Sequence, residues 1–324
     1  MNGSTALSPW LPTAPCTPGR CTAHPETGPG RPDERAGTVL AVARLTAGIG
    51  TVLLGVLLAP AAGLLPAAGR LALVRSWVRA VVRAFGVRVR YEGTADGLTG
   101  PLLVVANHVS WLDVPLLAAV LPGRMVAKTE VRHWPVLGPL AALGGTLFID
   151  RDRLRALPGT VREMSAVLAG GGRVVVFPEG STWCGRARGR FRPAAFQAAL
   201  DSGSAVLPVR IDYRPTGAAA YVGDDPLGAS LWRVVTARRM VANIRIMDPI
   251  SSIRYPDRRA LAAAAQRTVA QSAAARPTAA QPTVPQPTVP QPTVARDSAN
   301  LPSPSVHQRD SSRSAAASSF RTPA

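Results

Sequence analysis

Lysine, cysteine and aromatic residues are all scarce in this chain. Lys128 is the only lysine among 37 basic residues, so the formal charge of +18 is carried almost wholly by arginine. Three cysteines, Cys16, Cys21 and Cys184, are too few for a disulfide framework. With four scattered histidines they show no metal-site spacing either, so reduced thiols, no metal and no cofactor are expected. The chain lacks zinc-finger spacing, an aromatic-basic RNA-binding sequence and a long basic run, which argues against nucleic acid as a partner. No Gly-x-Ser-x-Gly elbow, P-loop or dinucleotide fingerprint occurs, which argues against serine hydrolase and nucleotide chemistry. A basic chain without these features suits an anionic membrane or a phosphorylated substrate. Its 47% apolar content is ample for an aliphatic core.

Residues 1–37 are rich in Pro, Gly and Thr and lack periodicity, which predicts a disordered tail. They do not read as a secretory signal, because the apolar stretch begins too late. From Leu45 to Leu65 no residue is charged, and the 21-residue run is long enough to span a bilayer as helix. Gly48, Gly50, Gly55, Gly63 and Pro60 keep a second reading open, a kinked or re-entrant hairpin in one leaflet. Arg75, Arg79 and Arg83 then recur at helical spacing, with Val74, Trp77, Val78, Val81 and Phe85 on the other side. That pattern predicts a basic amphipathic helix, lying at a headgroup interface or packing its apolar side on the domain. Residues 38–86 thus form a membrane-associated segment. Its arginine excess places the following domain on the cytoplasmic face of the cell membrane.

Residues 87–275 alternate β-like and helical runs. Strands are expected at Val87–Tyr91, Leu102–Ala106, Met125–Ala127, Gly145–Ile149, Arg173–Phe177, Ala205–Tyr213 and Asn243–Met247, with helices at Pro115–Leu121 and Arg153–Ala169. This is the pattern of an α/β domain with a mixed sheet flanked by helices. Residues 276–324 hold the repeat Gln281-Pro-Thr-Val-Pro285, renewed at Gln286 and Gln291, which predicts a disordered polyproline-type spacer.

The chemistry concentrates in Asn107-His108-Val109-Ser110-Trp111-Leu112-Asp113, at the end of an apolar run. Neutral imidazole can take a proton from a hydroxyl, and a carboxylate on its other nitrogen fixes the tautomer. Five residues of helix rotate by about 500°, so His108 and Asp113 cannot meet on one regular helix. They can meet if His108 sits in a turn and a helix starts at Ser110. Asp113 also suits a capping box, and His108 a hydrogen-bonded core position, so a purely structural reading stands beside the catalytic one.

Three further blocks lie at strand ends. Arg173-Val-Val-Val-Phe177-Pro178-Glu179-Gly180-Ser181-Thr182 runs from a strand into a tight loop. Gly144-Gly145-Thr-Leu-Phe148-Ile149-Asp150-Arg151 ends in a charged pair, whose arginine could fork onto a phosphate. Leu207-Pro208-Val209-Arg210-Ile211 is a short strand containing proline.

In this order, the His-x4-Asp, Phe-Ile-Asp-Arg, Phe-Pro-Glu-Gly and Pro-Val blocks resemble the 1-acyl-sn-glycerol-3-phosphate acyltransferase family over residues 70–250. The resemblance implies a glycerolphosphate-acyltransferase-like fold. It implies an enzyme that moves an acyl group from acyl-CoA or acyl-carrier protein to a lysophospholipid hydroxyl, most simply giving phosphatidic acid. His108 would then be the base and Asp113 its orienter. Asn107, Arg151, Glu179, Gly180, Ser181, Arg186 and Arg188 would bind substrate. Backbone N–H groups near the Phe-Pro-Glu-Gly turn are candidates for the oxyanion.

One departure touches the acceptor. The family commonly has Thr-Arg after Pro-Glu-Gly, whereas this chain continues Ser181-Thr182-Trp183, with no arginine before Arg186. Either Arg186 and Arg188 take the phosphate, or the acceptor is another lysolipid such as lyso-ornithine lipid. A non-catalytic lipid or acyl-CoA binding protein is the alternative from another class.

Overall fold

In a computed structural model of the chain, the described residues are 14–22, 35–93, 97–135, 137–150 and 153–274. The chain opens with a short helix, α1 (Pro18–Cys21), then α2 (Thr38–Ala62), α3 (Ala67–Ala84) and strand β1 (Val87–Glu92). The central part runs β2 (Leu102–Ala106), α4 (Asp113–Val120), β3 (Arg124–Lys128), α5 (Leu137–Leu143), β4 (Leu147–Ile149), α6 (Leu157–Ala169) and β5 (Arg173–Val176). It finishes with α7 (Ala194–Ser202), β6 (Ala205–Arg214), α8 (Thr216–Ala219), α9 (Leu227–Thr236), β7 (Met240–Ile246) and α10 (Arg258–Ala274). The strands form one mixed sheet in the order β1-β7-β6-β2-β5-β3-β4.

Strand β2 is parallel to both its neighbours, β5 and β6, and β3 and β4 continue the parallel block. Only β7 runs antiparallel to β6, with β1 parallel to β7 at the edge. All five residues of β2 are buried, because both faces of the sheet are covered. Leu102, Val104 and Ala106 pack with α4 and α9, while Leu103 and Val105 pack with α6, α7 and α10. A strand covered on both faces reads as an unbroken apolar run rather than an alternating one, as Leu102–Ala106 does.

Of the two readings of the basic helix, packing on the domain describes its C-terminal half. Val78, Val81 and Val82 of α3, and Phe85 just after it, are buried in the domain core. Arg75 bonds the carbonyls of Ala119 (3.3 Å) and Val120 (3.4 Å), and Arg79 that of Ala119 (3.5 Å). These are the last carbonyls of α4, which lack helical partners and attract cations. The arginine stripe therefore serves the α4 terminus as well as any headgroup. Leu71, Leu73 and Val74 stay exposed in the first half of α3.

Helix α2 is 25 residues long with mean hydropathy 1.9, long and apolar enough to cross a membrane, and only 6% of its most apolar stretch is buried. Its glycines do not break it. A Cβ at Gly48 would stand 2.4 Å from the Phe85 ring, and one at Gly55 would stand 2.2 Å from the Trp77 ring. Both rings of α3 thus lie against bare α2 backbone, and Trp77 Nε1 donates to the Thr51 carbonyl at 2.8 Å. Arg44 anchors the start of α2 by donating to Val235 (3.0 Å) and Ala237 (2.9 Å) at the end of α9. The segment from 38 to 86 is continuous with the α/β core rather than a separate part.

Of the tail expected to be disordered through residue 37, residues 1–13 and 23–34 lie outside the described residues, and the rest has structure. Residues 14–22 are folded, Cys16 and Cys21 are buried beside Cys184 and Val222, and Arg35 bridges to Ala237. Their partners lie far along the chain, so composition alone could not show them. The repeat after residue 276 lies outside the described residues.

Candidate active site

Five parallel strands place their C-terminal ends on one edge of the sheet, where loops of α/β folds bind ligands. His108 follows β2, Phe177 follows β5, and Tyr213 lies near the end of β6. Because β5 and β6 flank β2, these three residues converge.

Asn107 makes the transition out of β2. Its side chain donates to the Ile211 carbonyl and accepts the Ile211 N–H, each at 2.8 Å. The amide continues the ladder to β6 after the β2 backbone turns away, satisfying two polar groups that would otherwise be buried unpaired. Asn107, expected as a substrate ligand, thus positions the turn through both ends of its amide.

His108 Nδ1 lies 2.7 Å from Asp113 Oδ2. The same oxygen accepts the N–H groups of Val109 (2.7 Å) and Ser110 (2.9 Å), and Oδ1 accepts the Tyr213 hydroxyl at 2.5 Å. Asp113 is fully buried, and the three fixed donors on its two oxygens, two backbone N–H groups and the Tyr213 hydroxyl, favour a carboxylate that accepts from His108 as well. The His108 proton then sits on Nδ1, leaving Nε2 with its lone pair outward. Tyr213 remains a donor, because burial, followed by the Asp113 charge and hydrogen bond, raises its phenol well above the ordinary value. The imidazole face stacks on Phe177 with centroids 4.1 Å apart.

Both sequence readings of Asp113 hold at once. It caps the turn through Val109 and Ser110, and it orients His108 through the same oxygen. The helix begins at Asp113 rather than Ser110, since Ser110–Leu112 form a separate turn closed by Asp113 N–H to Ser110 O at 3.1 Å. Ser110 is fully buried, with its Oγ accepting the Leu112 N–H at 3.3 Å, so it offers no exposed nucleophile.

The loop after β5 holds His108 from the opposite side. Glu179 Oε2 accepts the His108 N–H at 2.9 Å, and Oε1 accepts the Gly189 N–H at 3.2 Å. The His108 carbonyl accepts the Trp183 N–H at 2.8 Å. Glu179, expected to bind the acceptor, forms this brace in the structure. Burial pushes its carboxyl up to about 7, against the opposing N–H donors of His108 and Gly189 and with a further push from Asp113. Gly180, at φ 73°, closes the turn by donating to Phe177 O at 3.0 Å, so its N–H is not available to an oxyanion. Those of Glu179 and Ser181 have no intramolecular partner among the described residues.

Ser181 and Arg188 are half-buried and Arg186 is exposed, while Arg151 lies outside the described residues. Arg188 is close enough to lower the Glu179 carboxyl. The roles of Tyr213, Phe177, Trp183 and Gly189 escaped the reading of the sequence. Tyr213 carries the one visible signal, a polar aromatic ending the Pro-Val strand. A hydrogen-bonded imidazole whose Nε2 makes no hydrogen bond among the described residues suits direct deprotonation of a substrate hydroxyl.

The model of the family described as Acyltransferase matches residues 88–212. The lyso-ornithine lipid O-acyltransferase of Pseudomonas aeruginosa is 39% identical over 205 residues, covering 61% of this chain and 76% of that protein. The 1-acyl-sn-glycerol-3-phosphate acyltransferase of Neisseria meningitidis is 32% identical over 196 residues, covering 59% of this chain and 76% of that protein. The fold is similar to the crystal structure of the 1-acyl-sn-glycerophosphate (LPA) acyltransferase from Thermotoga maritima, with TM-score 0.58 at 22% identity, covering 74% of this chain and 96% of that one.

Proposed function

The chain belongs to the 1-acyl-sn-glycerol-3-phosphate acyltransferase family, an enzyme family of acyl transfer to lysolipids, and from that premise we propose that His108 and Asp113 carry the reaction. His108 Nε2 takes the proton of the acceptor hydroxyl as its oxygen attacks the thioester carbonyl. A C–O bond forms, the tetrahedral oxyanion collapses, and the C–S bond breaks. The imidazolium returns the proton to the departing thiolate of coenzyme A or acyl-carrier protein. Asp113 holds the tautomer and offsets the imidazolium charge. The route uses no cofactor and no acyl-enzyme. The observation that carries it is the Nδ1–Asp113 bond, which leaves Nε2 as the outward base.

The leading acceptor is 1-acyl-glycerol-3-phosphate, giving phosphatidic acid, with Arg186 and Arg188 as phosphate ligands. Lyso-ornithine lipid is the second reading, favoured by the missing arginine after Gly180 and by the Pseudomonas relative. The membrane-associated part is the α2–α3 hairpin. Its helices pack on each other and on the domain, which supports insertion from one side, and its arginines support a cytoplasmic domain.

The test is acyl transfer from oleoyl-CoA to lysophosphatidate and, separately, to lyso-ornithine lipid, in membranes carrying the wild-type chain or His108→Ala. Product from one acceptor in the wild type alone supports both the base and that acceptor. Transfer that survives the substitution overturns the base assignment.

A further inference from the structure

The sulfurs of Cys16, Cys21 and Cys184 all lie within 4.8 Å of one another, and all three residues are buried. We propose that these cysteines form a three-thiolate zinc site that fastens the N-terminal segment to the loop bracing His108. No disulfide is formed among them. A tetrahedral zinc with bonds of about 2.3 Å holds sulfurs about 3.8 Å apart, so shifts of under about 1 Å would close this triangle on a metal.

Burial opposes free thiolates here and raises the Cys16 thiol to about 12, while backbone N–H groups favour negative charge on two of the sulfurs. The Cys184 N–H is directed to the Cys16 sulfur, and those of Arg186 and Ala187 to the Cys184 sulfur. Gly185, at φ 83°, forms the turn that directs the latter two, and its would-be Cβ lies 2.5 Å from Thr216 Cγ2, so a side chain there meets both strain and crowding. Such N–H donors stabilise ligating thiolates in metal sites. Three thiolates and one Zn²⁺ leave a net charge of −1, and the ligands' chain neighbours Arg20 and Arg186 are basic. The thiolate set suits zinc over magnesium, calcium or manganese, which prefer oxygen. Among the described residues no fourth His, Cys, Asp or Glu joins the cluster, so the fourth position falls to a solvent oxygen.

Three buried cysteines can also pack as small apolar side chains. Apolar packing does not require three sulfurs to gather within 4.8 Å of one another, two of them beneath N–H donors, whereas a metal does. The ligand Cys184 directly follows Trp183, whose N–H holds the His108 carbonyl, in the same loop that supplies Glu179 and Gly189. Zinc would thus couple residues 14–22 to the geometry of the base without touching substrate.

The experiment is metal analysis of the full-length chain, purified in detergent under reducing conditions without a polyhistidine tag, as isolated and after addition of zinc alone. About one zinc per chain is expected in the wild type and in His108→Ala, and below about a tenth in Cys16→Ser and Cys184→Ser. X-ray absorption on the wild type, which does not depend on the variants folding, should show three sulfurs at about 2.3 Å and one lighter atom. A wild type that binds no zinc, that contains a disulfide by mass, or that carries an iron chromophore overturns the proposal. None of these readouts depends on acyl transfer, so they stand apart from the test of the acceptor and the base.

Discussion

Glu179 and His108 are joined backbone to side chain: the carboxylate of the Phe-Pro-Glu-Gly turn accepts the N–H of the base at 2.9 Å. Its other oxygen takes the Gly189 N–H, and the Trp183 N–H takes the His108 carbonyl. The acidic residue of this block secures the base through its main chain.

That brace has a pH signature. The Glu179 carboxyl is raised from 4.5 to about 7, chiefly by burial, so the folded state binds its proton more tightly than the unfolded chain does. Its contribution to stability is full below pH 4.5, declines as pH rises through that window, and levels off above about 7. In Glu179→Gln this slope disappears. The amide NH2 must also face one of two N–H donors, which costs about 1–3 kcal/mol. Thermal unfolding of both proteins from pH 5 to pH 8 checks both effects; an unchanged slope in the variant refutes the assignment.

Asp113→Asn replaces an acceptor of four hydrogen bonds by a group that must turn NH2 toward at least one donor. If that donor is His108, the proton moves to Nε2 and the base is lost. A fall in kcat on the order of 10³- to 10⁴-fold is expected, as for other orienting carboxylates. Activity near the wild-type value would show that Asp113 only caps the turn.

Tyr213→Phe keeps the buried ring and removes the hydroxyl bound to Asp113 Oδ1. A kcat about tenfold lower with little change in KM is expected, in line with loss of one hydrogen bond to a charged group. A change confined to KM would mean that Tyr213 acts on substrate binding rather than on the orienting carboxylate.

Gly48→Leu introduces a side chain where even a Cβ would meet the Phe85 ring at 2.4 Å. Overpacking of this kind costs about 1–3 kcal/mol and should part α2 from α3. Gly50→Leu, on the same helix with nothing near its Cβ, serves as the control. Equal melting temperatures for the two variants would contradict the observed packing of the hairpin.

Removing residues 276–324 should leave acyl transfer within about twofold of the full chain, since α10 closes the described domain at Ala274. A large loss of activity would give the Pro-Thr-Val repeat a role that its composition does not announce.

The sequence by itself determined what local physics determines. Seven apolar or alternating runs became seven strands, and β2 occupies Leu102–Ala106 as read. The His108–Asp113 pair was legible because the two lie five positions apart, and one turn brings them together. The Phe-Pro-Glu-Gly turn was legible from Pro178 and Gly180. Roles that depend on distant partners were not. Asn107 and Glu179 both read as substrate ligands, yet their bonds reach across 104 and 71 positions to Ile211 and His108. Tyr213 meets Asp113 across 100 positions. Cys16 and Cys21 sit in a Pro-rich stretch whose composition implies disorder, and they are ordered by burial beside Cys184. A buried polar group is satisfied by whatever the sheet order brings beside it, and the placement of β2 between β5 and β6 exists only in the assembled fold.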